Sequence, residues 1–337
     1  MTGSELPPNQ RIMQMLTGHW ISQLIHAAAV LGLADLVEAG PKNSQELAQA
    51  TRTHAPSLFR LLRGLASIGV FAEDGQGRFG LTPLAECLLS DRPGSQRGAA
   101  IMTGSEHYRA WGELLWSVRT GKPAFDHVFG KPIFDYLAEH PESARIFDEG
   151  MTGVHGAETA AIAAAYDFSA FRTLVDVGGG NGSTLAGILP AFPSLSGVLF
   201  DLPHVVDRAR QQLKQRGLEG RCSCVGGSFF ESVAPGADAC LLRHIIHDWD
   251  DDKSIVILRN CRKALPAKGK LLVVESVIPP GNDPDFGKLL DLAMLVIPGG
   301  KERTAAEFRG LYQAAGFQLT RIVPTKSPVS IIEGSPI

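Results

Sequence analysis

The sequence predicts an α/β protein: a doubly wound parallel sheet preceded by a smaller, α-helical winged-helix domain. Three observations carry that prediction. From residue 173 onward, short apolar runs alternate with helical periodicity, the pattern of strands joined by crossover helices. That region opens on TLVDVGGGNGST, residues 173–184, where a strand runs straight into a glycine-rich turn. Near the N-terminus, the stretch from Asn43 onward reads as helix, turn, helix and hairpin, which is a winged helix.

Within residues 11–38, Ile12, Met15, Leu16, Trp20, Leu24, Ile25 and Ala28 recur three and four apart and make a helical stripe. Asn43 opens N-S-Q-E with Glu46 three residues on, a capping box for a short helix over ELAQAT. A second helix runs from Ala55-Pro56 to Ile68, with Leu58, Leu61, Leu62 and Leu65 on one face. VFAEDGQGRFGLTP follows as two short strands around a glycine-containing turn. This first domain is expected over residues 1–95 and is expected to dimerise. Trp20, Leu24 and the first helix's apolar face form a stripe too large for a small domain to bury alone. Winged helices often read DNA, but Arg60 and Arg63 stand almost alone on the second helix, so a dimerisation role is favoured.

Residues 96–170 read as a helical linker rich in large side chains. Most of these are core, and a subset can wall a pocket for an aromatic acceptor. The remaining domain, 171–337, carries strands at 173–178, 196–201, 222–226, 237–243 and 269–275. Helices fill 183–190, 204–216, 251–265 and 304–315, and FQLTRIVPTKSPVSIIEG closes the sheet as an antiparallel hairpin.

The glycine turn is where chemistry enters. Gly178, Gly180 and Gly182 form G-x-G-x-G, which lets a ligand lie against bare backbone, and Ser183 is placed to cap the next helix. Asp201, ending the next strand, is placed to take the two hydroxyls of a ribose. A dinucleotide loop would put its third glycine at Ser183, one residue later than here. Asp176 at the mouth of the loop would repel a pyrophosphate but suits a cationic ligand, such as the ammonium and sulfonium of S-adenosylmethionine.

Residues 240–252 read CLLRHIIHDWDDD, so His244 and His247 follow a strand at the carboxyl end of the sheet, where open α/β sheets bind ligands. Glu275 ends the strand KLLVVE, and Glu302 lies in the loop PGGKERT. A histidine between carboxylates is held in one tautomer and stabilised when protonated, as a general base for a phenolic proton must be. An alternative makes His244 and His247 half of a metal pair, with Asp248 to Asp252 supplying oxygens. Helix capping by Asp250, Asp251 and Asp252 explains those acids without an ion.

Composition excludes several classes. Of 337 residues, 44% are hydrophobic and 20% charged, ordinary for a globular protein, and a net charge of −3 offers no field for nucleic acid or anionic membrane. Five cysteines, an odd number without C-x-x-C spacing, are expected as reduced thiols in a cytoplasmic protein. The N-terminal residues show no signal-peptide pattern, and no apolar run is long enough to span a bilayer.

The order DVGGGNG, FDLPHVV, VGGSFF, HIIHDWDDD, NCRKALPAKGKLLVVE and PGGKERT…EF…AGF resembles the metal-independent S-adenosylmethionine O-methyltransferases. These are the plant caffeic-acid and flavonoid type with their bacterial natural-product relatives, and the resemblance covers nearly the whole chain. It implies a Rossmann-like class I methyltransferase domain behind a winged-helix dimerisation domain. It further implies S-adenosylmethionine as cofactor with S-adenosylhomocysteine as product, no metal, a homodimer and a small aromatic acceptor. Carried over by position, it makes Gly178 and Gly180 part of the cofactor loop and Asp201 the ribose ligand. Ser228 and Phe229 would edge the adenine, with the Arg243 main chain bordering the same site. His247 becomes the catalytic base with Glu275 and Glu302 flanking it, and Phe147, Met151 and Met294 line the acceptor pocket. Ser228 departs from the aspartate common in the family. Methylation of nitrogen, a non-methylating use of the fold, and a ligand-responsive DNA-binding regulator are the rival readings.

Overall fold

The computed structural model describes residues 6–337, which divide into two compact units. One takes the chain up to Arg109 together with His140–Val154, and the other takes Ala110–Glu139 and His155–Ile337. The segment 96–170, expected as a linker, is therefore shared out between the two. The helix Pro141–Ala165 has residues in each.

In the first unit the local signals act as their chemistry requires. Asn43 Oδ1 accepts the N–H groups of Gln45 and Glu46 at 2.9 Å, and the Glu46 carboxylate accepts the Asn43 N–H at 2.8 Å. The helix Ala55–Ser67 buries Leu58, Leu62 and Leu65, leaving Leu61 half-buried at the edge of that face. A small antiparallel sheet forms from β1 (Lys42–Asn43), β2 (Phe71–Glu73) and β3 (Arg78–Leu81), in the order β1-β3-β2. Two residues are too few to show strand periodicity, so β1 leaves no trace in the sequence. The N-terminal stripe is distributed over helices Pro8–Leu16, Gly18–Val30 and Leu33–Val37. Ile12, Met15, Leu16 and Trp20 are between 54% and 62% exposed. Leu24, expected in the same exposed stripe, packs instead on the unit's own core.

The second unit is built on seven strands: β4 (Thr173–Val177), β5 (Ser196–Asp201), β6 (Cys222–Gly226), β7 (Ala239–Arg243), β8 (Lys270–Glu275), β11 (Phe317–Pro324) and β12 (Ser330–Pro336). Their order is β11-β12-β8-β7-β4-β5-β6, with β4 to β8 parallel and β11 and β12 antiparallel, so the expected hairpin closes the sheet. A separate parallel pair, β9 (Val277–Ile278) and β10 (Arg303–Thr304), ties the loop containing Glu302 to the chain just beyond β8. Alternate residues of one strand enter different cores. Leu174, Leu241 and Leu272 lie in one cluster, and Val175, Leu242 and Val273 in the other. Both faces are covered, as a parallel sheet needs. The helix Phe286–Val296, which carries Met294, was not among the expected elements, although Phe286, Leu289, Leu290 and Ala293 recur three and four apart in it.

Cys222, Cys240 and Cys261 are buried free thiols, while Cys224 is half-buried and Cys87 exposed. Among the described residues, no helix is long and apolar enough to cross a membrane.

Candidate active site

Strands β5 and β7 flank β4 on opposite sides, so the direction of winding reverses at β4, the place where open α/β sheets bind ligands beyond the carboxyl ends of their strands. Gly178, Asp201, Arg243 and Glu275 all stand at the carboxyl ends of neighbouring strands. Gly178 has φ of +72°, and a Cβ there would overlap the Ile245 side chain, with a Phe229 ring atom at 3.6 Å. Only glycine fits that position. Gly180, at φ +55°, donates its N–H to Asp201 Oδ2 at 2.8 Å, while Leu202 donates to Oδ1 at 2.6 Å. Asp201 thus braces the loop and keeps further lone pairs for hydroxyls.

Asp176 is 1% exposed, and its Oδ2 accepts no hydrogen bond from the described residues. Burial pushes its carboxyl up to about 7; Arg243 opposes the rise and Asp201 adds to it. An orphaned buried carboxylate oxygen beside bare glycine backbone fits a ligand that brings its own positive charge. These residues therefore suit an S-adenosylmethionine-like cofactor.

Three placements differ from expectation. Ser183 does not cap its helix; Gly182 is the N-cap residue, and Ser183 Oγ accepts from the Arg243 guanidinium at 3.2 Å. Arg243 presents more than main chain, since its guanidinium also donates to Thr159 Oγ1 at 2.8 Å. Glu275 does not bond the His247 ring but accepts the His247 backbone N–H at 3.0 Å. Ser228 Oγ accepts the Phe230 N–H at 3.3 Å, and the Phe229 ring lies edge-on to Phe230 and Trp249.

His247 sits on a single 3-10 turn, Ile246–Asp248, and is 6% exposed. Its Nδ1 is 2.6 Å from Glu302 Oε1, which fixes that nitrogen as the N–H and leaves Nε2 as the lone-pair nitrogen when the ring is neutral. Asp248 Oδ1 lies 3.6 Å from Nε2. Burial alone would lower the proton affinity of the ring. Asp248, the Glu302 bond and Glu275 outweigh it and raise the pKa to about 10. Asp248, a carboxylate beside His247 that the sequence reading assigned only to the metal alternative, is itself pushed up to about 6 by burial.

Two further residues hold this turn, and sequence reasoning gave neither a role. Arg303, fully buried, donates to the carbonyls of Ile246 (3.1 Å) and Trp249 (3.0 Å) and to Asp251 Oδ1 (2.9 Å). At Gly300 a Cβ would land inside the van der Waals envelope of the His247 carbonyl, and the neighbouring Lys301 N–H donates to that same carbonyl at 2.8 Å. The signal was present in PGGKERT, but only packing explains its glycine and arginine.

Two of the acids after His247 have structural partners. Asp250 caps the helix Asp251–Ala264 by accepting the Lys253 N–H at 2.8 Å, and Asp251 pairs with Arg303 and Lys301. His244 has other partners. Its Nε2 is 2.8 Å from Glu158 Oε2, and its ring stacks on His155 at 3.9 Å. Burial first, then mutual repulsion, hold His155 well below the ordinary imidazole range, and burial does the same to His244.

Met294 is half-buried on the helix Phe286–Val296 of the second unit. Phe147 and Met151, one helical turn apart, are half-buried on the part of Pro141–Ala165 that belongs to the first unit.

Comparison with known proteins identifies the family. Residues 111–318 match the family described as the O-methyltransferase domain, and residues 13–91 match the O-methyltransferase dimerisation domain. The phenazine O-methyltransferase PhzM of Lysobacter antibioticus is 50% identical over 98% of this chain and 97% of its own. The phenazine-1-carboxylate N-methyltransferase of Pseudomonas aeruginosa is 33% identical over 96% of each chain. The crystal structure of LaPhzM superimposes with a TM-score of 0.97 at 50% identity, covering 98% of this chain and all of that one.

Proposed function

The chain belongs to the S-adenosylmethionine-dependent O-methyltransferase family, and on that premise we propose that it methylates a hydroxyl of a small aromatic acceptor, with His247 as general base. It is a methyltransferase of secondary metabolism, its fold is the class I methyltransferase fold with an N-terminal dimerisation domain, and its cofactor is S-adenosylmethionine. The bond between His247 Nδ1 and Glu302 at 2.6 Å carries the oxygen-methylation reading, because it leaves Nε2 to receive a proton.

When bound, the cofactor supplies an electrophilic methyl group on a sulfonium. The protein's own part is binding and proton transfer. Asp176 answers the cofactor's positive charge, the backbone at Gly178 and Gly180 receives it closely, and Asp201 takes the ribose hydroxyls. Ser228, Phe229 and the Arg243 main chain border the adenine. His247 Nε2 takes the acceptor's hydroxyl proton as oxygen gains the methyl group. Glu302 stabilises the resulting imidazolium, and Glu275 holds the backbone that presents the ring. Phe147, Met151 and Met294 are assigned to acceptor binding.

Methyl-labelled cofactor offered with phenols, flavonoids, pyrroles and phenazines tests the reading, with product masses and connectivities as readout. Hydroxyphenazines come first, since the Lysobacter relative is a phenazine O-methyltransferase. A product methylated on ring nitrogen would favour the second reading, which the Pseudomonas N-methyltransferase supports.

The same proposal extends to a homodimer through the first unit. The exposed Ile12, Met15, Leu16 and Trp20 need cover, and residues 13–91 match a dimerisation domain. Light scattering is expected to give twice the chain mass at micromolar concentration, and an active monomer there would refute it.

Ser228→Asp is expected to tighten S-adenosylmethionine binding several-fold, with turnover at saturating cofactor unchanged. A serine oxygen accepts from the adenine amine without charge assistance, whereas aspartate strengthens that bond by about 0.5–1.5 kcal/mol. Calorimetric titration of both proteins reads the difference. Equal or weaker binding by the variant would remove Ser228 from the adenine edge.

A further inference from the structure

We propose that His155, Glu158 and His244 form a binding site for a divalent transition ion of the zinc type, separate from the methyl-transfer groups, and that its occupancy inhibits the enzyme. The three side chains place one ligand atom each within 4.8 Å of one another. His155 and Glu158 stand three apart on the helix Pro141–Ala165, the spacing that sends a histidine and a glutamate from one helix face toward a shared ion. His244 reaches them from the end of β7, with Nε2 already 2.8 Å from Glu158 Oε2. Two imidazoles and a carboxylate are a donor set suited to zinc, with an open position left for water.

Two further observations mark the place as more than a polar contact. His244 is a non-glycine residue at φ +53°, a left-handed conformation that persists only where the surroundings impose it. Its Nδ1 is buried with no partner among the described residues, and the His244 and Glu158 side chains are each 8% exposed. The His155 and His244 rings are stacked face to face, 3.9 Å apart at 11°. Rotation of the His155 ring closes the set on an ion.

Inhibition follows from location. Arg243, adjacent to His244, bonds Ser183 of the glycine loop, and the His244 and His247 rings are 5.1 Å apart. A doubly charged ion there stands beside a crevice suited to a cationic cofactor and disturbs the turn that carries His247.

Titration of the full-length protein with Co²⁺ alone reads the site without any acceptor, so its outcome is independent of which hydroxyl or nitrogen is methylated. One Co²⁺ per chain is expected, with the visible absorption of a low-coordinate nitrogen and oxygen site, displaced by Zn²⁺. His155→Ala and Glu158→Gln should each weaken binding by ~10-fold or more, since even outer-shell losses cost that much. His247→Ala should retain the spectrum. In turnover assays Zn²⁺ should inhibit the native enzyme and EDTA restore it, while His155→Ala loses zinc sensitivity. Absence of Co²⁺ binding, unchanged affinity in His155→Ala, or loss of the spectrum in His247→Ala would overturn the site.

Discussion

His247→Ala is expected to lower kcat by about 10²–10⁴, the usual worth of a general base, while the affinity for S-adenosylmethionine stays near normal. The separation follows from placement. The cofactor-binding groups assigned to the loop stand at the ends of β4 and β5, whereas His247 lies on the turn after β7 and is held by Glu302 and Glu275. A pH profile sharpens the test. With the folded His247 raised to about 10, the ring is protonated at neutral pH, and its base form grows as pH rises. A phenol with its own pKa of about 10 has the same sign, because less proton removal remains to be done at higher pH. Thus kcat/KM should climb from pH 7 into the alkaline range, and the climb should flatten in Glu302→Gln, which removes part of the upward shift. A profile level between pH 6 and 9, or a His247→Ala loss below about tenfold on the true acceptor, would remove His247 from the base role.

Gly300→Ala should cost about 10² in kcat, although residue 300 carries no functional group. Its Cβ would press on the His247 carbonyl and on the backbone of Asp248 and Trp249, none of which is a flexible side-chain end that can step aside. The turn must therefore move, and a 1 Å displacement of a positioned group is enough for a loss of this size. Cofactor affinity is expected to hold, because the glycine loop lies on other strands. Stability should fall by the ~1–3 kcal/mol of an overpacked site, seen as a modestly lowered thermal midpoint. Unchanged kcat with a lowered midpoint would mean that the ring keeps its position by other means.

Much of this protein is legible in its sequence because the signals are local. Alternating strands and helices from residue 173 define the sheet, the capping box at Asn43 starts its helix as read, and the glycines after β4 announce a close backbone approach. A strand end and the PGGKERT loop drew attention to Glu275 and Glu302, and family resemblance set them beside His247, without saying which atom touches which. Elements that depend on distant partners left little trace. β1, β9 and β10 are two-residue strands defined only by what they pair with.

The sequence by itself determined that a glycine loop, an acid one strand later and a histidine two strands further on stand at the carboxyl ends of strands in an alternating α/β region, since each follows directly on a recognisable apolar strand. Only the tertiary structure decided how the groups divide their work. Glu302 bonds the His247 ring and Glu275 its backbone, Arg303 and Gly300 hold the turn, and Glu158 answers His244 across 86 residues. Hydrogen bonds and close packing are fixed by distances of tenths of an ångström between segments remote in the chain, and no local pattern of residues encodes those distances.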